Sequence, residues 1–320
     1  MAGPRPLVAP PVSVPRDYGL LSVVQPRFEE SDAHWRNGVT FEQTCGSGGT
    51  TFDDYCVTGV GAPAKAANIT NNVFGALPFT AMVRIDCSAP GYTQEEHMQR
   101  GLAALIRVEE WQVERTFWTG IVASGSGGYT VYPHLAANAA VTEAGASVTT
   151  TLQLAATQVT GAVLDVVEAL GRLEDALDQC VQGKGIVHMT TTVFEIAAGN
   201  HLIELRGGKA YTTRGNAVVV GAGYTGSAPD GSSTAGVHWM YGTANIFAYR
   251  SGSEMGGAAQ QATFKEMFNT DTNTPEIMVE RTYVLGYGCC LVAAAVSLGG
   301  VVSGTYNSAS TWTANRAVYQ

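Results

Sequence analysis

Charge is scarce in this chain. Of its 320 residues only 14% are Asp, Glu, Lys or Arg, against about 25% in ordinary globular proteins. Lysine is rarest, with Lys65, Lys184, Lys209 and Lys265 alone. The 27 acidic residues outnumber the 18 basic ones, for a formal net charge of −9. Few charges together with 45% hydrophobic residues exclude a disordered chain. An acidic chain this poor in lysine cannot line a groove that follows a nucleic-acid backbone.

Catalytic signatures are missing as well. There is no G-x-x-x-x-G-K-[ST] phosphate loop, no G-x-S-x-G elbow and no C-x-x-C pair. His34, His97, His134, His188, His201 and His238 form no H-x-H, H-E-x-x-H or H-x-x-x-H pair, so none has the spacing of a metal ligand set. Asp53-Asp54 and Glu95-Glu96 are sequence neighbours, so their carboxylates diverge and make no acid/base couple. The chain therefore reads as a non-enzyme without cofactor, metal or catalytic residues.

The start of the chain lacks a basic stretch followed by an apolar core, so no secretory signal is expected. Six of the 12 prolines fall among the first 26 residues, a density that forbids a helix and favours an extended arm. The cysteines are Cys45, Cys56, Cys87, Cys180, Cys289 and Cys290. In a chain of this length without a signal, reduced buried thiols are expected. No charge occurs from Tyr283 to Tyr306, which is long enough to span a bilayer. Its seven Gly and Ser residues and its valines instead predict two buried strands joined at Gly299-Gly300.

What is present is glycine, 38 residues with no period, and a succession of clear elements. Length allows one large or two ordinary domains. Phe79–Asp86 alternates faces with period two, as in a sheet or hairpin. Thr93-Gln94-Glu95-Glu96 is a capping box. Behind it Met98, Leu102, Leu105, Ile106, Val113 and Phe117 recur at helical spacing until Gly120. Glu95, Arg107, Glu109, Glu110, Glu114 and Arg115 would form that helix's open face. Residues 121–160 predict only a weak strand or two.

A second helix is predicted from Ala162 to about Gln182, with Gly183 as its C-cap and Glu168, Glu174, Asp175 and Asp178 on a solvated acidic face. Strand Gly185–Met189, a short helix near Val193–Ala198 and strand Asn216–Gly221 come next. Long strands over Val237–Tyr249 and Glu276–Val296, separated by a loop, complete an α+β pattern. Gly221-Ala222-Gly223-Tyr224-Thr225-Gly226 matches G-x-G-x-x-G behind a strand. A turn succeeds it, not the helix that would hold a pyrophosphate, so it reads as a glycine-rich loop.

In this order, and in the segments VVEALGRLEDAL (166–177), GKGIVHM (183–189) and MVERTYVLGY (278–287), the chain resembles the HK97-fold major capsid proteins of tailed phages. The small versions found in phages of actinobacteria are the most similar. The resemblance implies an N-terminal arm at 1–30 and an E-loop hairpin with flanking strands at 31–90. It implies a peripheral domain with a spine helix at 91–160 and an axial domain at 161–230. Residues 231–284 would be peripheral-domain strands, and 285–320 an axial return strand and tail.

It further implies self-assembly into pentamers and hexamers of an icosahedral shell around double-stranded DNA contacted non-specifically, with portal, scaffold and decoration proteins as further partners. Assembly would occur in the host cytoplasm and the product would be the virion, without a membrane. Some members crosslink through a Lys–Asn isopeptide bond, for which Lys65 is the sensible donor here. A nanocompartment shell of the same fold (encapsulin) and a tail or decoration protein are the alternatives. The proline-rich start counts against the cargo-binding helix of the former, and the two strong helices against the latter.

Overall fold

The computed structural model describes residues 17–28, 33–45, 70–86, 93–122, 129–145, 148–252, 262–269 and 274–299. Its elements begin with helix α1 (Leu20–Val24), formed in the gap between Pro15 and Pro26 where the proline density of the first 26 residues predicts no helix, strand β1 (Arg27–Phe28) and a 3-10 turn (Ala33–Asn37). Strands β2 (Val39–Cys45), β3 (Thr70–Ala76) and β4 (Pro78–Asp86) lead into α2 (Gln94–Thr119). Then come β5 (Val141–Ala144), β6 (Thr149–Gln153), β7 (Thr157–Gln158), α3 (Val166–Val181), β8 (Ile186–Thr190) and α4 (Thr191–Gly199). Strands β9 (Ile203–Arg206), β10 (Lys209–Thr212), β11 (Ala217–Gly221), β12 (Val237–Thr243) and β13 (Phe247–Arg250) are next. The series ends with β14 (Thr263–Asn269), β15 (Thr274–Gly286) and β16 (Leu291–Ser297).

The architecture is α+β. The first sheet is organised on the 13-residue β15, which carries β4 on one side and β13 and β14 on the other, with β1 beyond β13. The second has seven strands in the order β7-β16-β12-β8-β11-β10-β9. A third, β2-β3-β6-β5, forms the stem of the early hairpin.

Helix α2 lies on β4 and β15. Its capping box is formed: Glu96 N–H donates to Thr93 Oγ1, and Thr93 N–H donates to Glu96. The bonds that Thr93 N–H and then the Thr93 hydroxyl donate to it hold the exposed Glu96 carboxyl below its ordinary range. Its 26 residues span about 39 Å. Leu102, Leu105, Val113, Phe117 and Trp118 pack with Phe79, Val279, Tyr283 and Leu285 in one core. Gly101 is required at the closest approach, since a Cβ there would stand 2.4 Å from Val279 Cγ2. Helix α3 covers the second sheet, with Leu170, Leu173 and Leu177 on Val187, Met240 and Ala294.

Several expectations are corrected. Residues 237–250 are not one strand of one sheet: β12 pairs with β8 and β16, whereas β13 pairs with β15. Likewise 276–296 is not one strand but divides into β15 and β16 at Tyr287–Cys290, and the strand expected after Gly299-Gly300 lies outside the described residues. Thr243 is opposite Leu291 and Phe247 opposite Gly286, so both legs of one long hairpin bend at the same level. The hairpin passes from the second sheet into the first. Alternation of faces persists through such a bend and cannot reveal it.

The loop expected between the long strands contains β14. Helix α3 is capped by Gln182 in the left-handed conformation (φ 55°), one residue before Gly183. Ile106 is exposed, whereas Glu109 and Glu114 are buried, because sheet and arm supply partners for those carboxylates. The expectation of reduced thiols is overturned for four cysteines, which form disulfides Cys45–Cys289 and Cys180–Cys290. Opposed elements bring these residues together across 244 and 110 positions of sequence. Cys56, Cys87, Lys65 and the segment 300–320 lie outside the described residues.

Candidate functional site: the joint of arm, long helix and second sheet

Three parts of the chain meet at the C-terminal half of α2. The carboxylate of Glu114, fully buried, accepts Leu20 N–H at 3.1 Å through Oε1 and Gly223 N–H at 2.9 Å through Oε2. Leu20 N–H is a free donor because it opens α1. Gly223 lies in the glycine-rich loop after β11. One side chain of the long helix thus ties both the arm and the second sheet to itself.

The glycines of that loop have a packing role. A Cβ on Gly223 would stand 2.3 Å from Trp111 O and 2.7 Å from Arg115 N, the backbone of α2 itself. Gly226 has φ +71°, a left-handed conformation that turns the loop towards β12. This is the role of the G-x-G-x-x-G match: close approach to a helix backbone instead of to a phosphate.

Around the joint the polar groups are matched. Trp118 Nε1 donates to Ser227 Oγ at 3.0 Å, and Tyr241 OH donates to Ser227 O at 3.0 Å. Trp118 meets Tyr241 edge-on, with ring centroids 4.8 Å apart. His188 is buried between Tyr224 OH (2.9 Å) and Thr243 Oγ1 (3.0 Å). Burial lowers its pKa to about 3, so it is neutral. Burial likewise pushes the Tyr224 and Tyr241 hydroxyls well up, with Glu114 adding to the shift of Tyr224. Neither tyrosine ionises, and His188 stays uncharged at neutral pH, with one ring N–H and one acceptor nitrogen.

The arm crosses the whole joint. Tyr18 O accepts Val220 N–H from β11 at 2.9 Å, Leu20 is held by Glu114, and Arg27 and Phe28 run parallel to Tyr249 and Arg250 of β13. Arg250 places its guanidinium 4.3 Å over the Phe28 ring. Residues 17–28 therefore touch the second sheet, the long helix and the first sheet in turn.

A second buried charge cluster stands further along α2. Glu109 receives Arg281 Nη1 at 2.7 and 2.6 Å and Tyr283 OH at 3.0 Å. The spacing Leu102, Leu105, Glu109, Val113, Phe117 puts Glu109 on the apolar stripe. That spacing is the signal that could have marked it as buried. Glu114 carries no such signal, since the Leu20 and Gly223 N–H groups that it accepts come from distant segments.

The other candidates from sequence disperse. Glu174 faces inward, accepting Asn216 Nδ2 at 2.8 Å and the Thr212 hydroxyl, while Glu168 pairs with Arg172 and Asp178 with Arg214 on the outside. His238 bonds Thr190 Oγ1 at 2.8 Å. Among the described residues no group of three or more His, Cys, Asp or Glu side chains converges to hold a metal ion, and no helix is long and apolar enough to cross a membrane.

No family model and no curated protein matches the sequence. Among solved structures, the chain is similar to one from the capsid of Ralstonia phage GP4, at 9% identity and TM-score 0.47 over 93% of this chain and 97% of that one. It is similar to one from Mycobacterium phage Che8, at 12% identity and TM-score 0.44 over 91% and 96%. A third is from the holo-SrpI encapsulin complex of Synechococcus elongatus PCC 7942, at 9% identity and TM-score 0.49 over 94% and 96%.

Proposed function

We propose that this chain is the major structural subunit of an icosahedral shell of HK97 type, the container of a tailed phage's double-stranded DNA, and that it catalyses no reaction. The observation that carries the reading is the course of residues 17–28. A segment that runs across both sheets and the long helix ties the subunit's parts into one plate. Polar side chains at the joint are spent on fixing that plate, and the histidine among them is held neutral.

On this reading residues 1–30 are the arm and 31–90 the E-loop region. The first sheet with α2 is the peripheral domain, and the second sheet with α3 and α4 is the axial domain. Low charge suits surfaces buried against further copies. Pentamers and hexamers, portal, scaffold and decoration partners, and assembly in the host cytoplasm belong to the same proposal. The acidic balance suits a wall that encloses DNA without gripping it.

Negative-stain electron microscopy of the full chain after size exclusion tests this. Closed shells, or rings of five and six, are expected. A uniform small oligomer would overturn the proposal. Small empty shells that capture a protein cargo would favour a nanocompartment over a phage capsid.

A further inference from the structure

Three separate elements meet at the turn Tyr287-Gly288-Cys289-Cys290 between β15 and β16. Cys289 is bonded to Cys45, the last residue of β2, and its neighbour Cys290 to Cys180, in the last turn of α3. The Cα–Cα distances are 5.3 and 5.7 Å, inside the ordinary disulfide range. Two adjacent residues of one turn thus fasten the hairpin stem on one side and the second sheet's covering helix on the other.

The turn is shaped for this contact. Cys289 has φ +59°, a left-handed conformation that a residue with a Cβ adopts only at a cost. Gly288 sits so close to the stem that a Cβ would stand 2.4 Å from Gln43 Oε1 and 2.8 Å from Phe74 Cδ2. A tight bond from Cys290 N–H to Gly288 O, 2.6 Å, closes the turn. The reduced state has its acceptors too. Cys45 Sγ is 3.7 Å from Gln43 O, and Cys180 Sγ is 3.7 Å from Cys289 O. Both thiols can therefore donate to a carbonyl when the bonds are open.

We propose that this turn is a two-bond redox clasp, open while the chain is in a reducing cytoplasm and closed when it meets a small-molecule disulfide such as oxidised glutathione. Each closure converts two cysteine thiols into one S–S bond. The two electrons and two protons pass to the oxidant, giving two molecules of glutathione. Closing fixes the far end of the β2–β3 ladder, where Cys45 is opposite Thr70, and the end of α3 to one point. With the clasp open the stem keeps its non-covalent packing, including Phe41 on Phe74 and Phe247, and can hinge about Gly288. The proposal concerns the subunit itself and stands apart from the shell reading.

The test uses the full wild-type chain, purified under reductant and then treated with oxidised glutathione. Free thiols are alkylated and the disulfides mapped by mass spectrometry. Linkage of Cys45 and Cys180 to the 289–290 segment is expected. So is at least tenfold slower amide exchange over 39–45 and 70–76 after oxidation, and a melting temperature higher by roughly 5 °C or more. Cys45→Ser should lose the change in the stem while keeping the Cys180–Cys290 bond. A Cys289–Cys290 bond that leaves Cys45 and Cys180 alkylated would overturn the proposal. So would unchanged stem exchange between the two redox states. The disulfide map does not depend on whether either form assembles, and exchange and melting are compared on unassembled chain, so failure of the shell reading and failure of the clasp are distinguishable.

Discussion

Arg281 points one guanidinium nitrogen at both oxygens of Glu109, 2.7 and 2.6 Å away, with each side chain less than a tenth exposed. Tyr283 OH adds a third bond to the same carboxylate. Helix α2 is thereby joined to β15 through a charge pair in the middle of an apolar core. Such a pair fixes one register of helix on sheet, and burial makes it costly to break singly.

Glu109→Ala should therefore destabilise the chain by about 3–5 kcal/mol, since the buried Arg281 loses the carboxylate it is held against. The double variant Glu109→Met with Arg281→Met should recover most of that loss. Denaturant unfolding of the single and double variants measures both. Equal instability in the two would show that the pair's charge complementarity is not what matters.

Glu114→Gln should loosen two places at once. A carboxamide keeps one acceptor oxygen and sets an N–H against the other backbone donor, a loss of about 1–3 kcal/mol. Hydrogen exchange should quicken at Leu20 and at Gly223, which are 203 positions apart in sequence but share one carboxylate. Acceleration at only one of them would contradict the shared clasp.

Acid should destabilise the fold through its histidines. Burial lowers His188 to about 3 and His134 to about 4, from an ordinary value near 6.5. Below pH 6.5 the unfolded chain binds protons at these sites and the folded chain does not, so stability falls as pH falls. The slope is at most about 1.4 kcal/mol per pH unit for each histidine, and it ends once the folded pKa is passed. Melting temperatures between pH 7.5 and 4.5 should fall, and His188→Gln should flatten part of the fall.

Gly223→Ala should lift the glycine-rich loop off α2, because the new methyl meets helix backbone that cannot give way. A loss of about 1–3 kcal/mol is expected. Gly171→Ala, in α3 with nothing within 4 Å of the new methyl, should instead stabilise by up to about 1 kcal/mol. Thermal unfolding of the two variants side by side separates the steric role of Gly223 from glycine's general effect on the chain.

Local signals carried the elements whose causes are local. The Thr93–Glu96 box, the stripe of α3, strand β8 and the order of parts were all legible before any contact was known, because capping and hydrophobic periodicity act within a few residues. The absence of a usable dinucleotide helix after Gly226 was equally readable, since it depends only on the residues directly after that glycine, Ser227 to Ser233.

Tertiary structure decided the rest. The bend that sends β12 and β13 into different sheets depends on pairing with a hairpin leg some 40 positions away. Cys45 and Cys289 meet across 244 positions, so spacing could not pair them. Glu114 looks in sequence like any exposed helix carboxylate, and becomes the centre of the joint only when the arm and the loop of Gly223 bring their N–H groups to it. A charged residue's burial is settled by the partners that reach it, and those come from parts of the chain that sequence proximity does not connect.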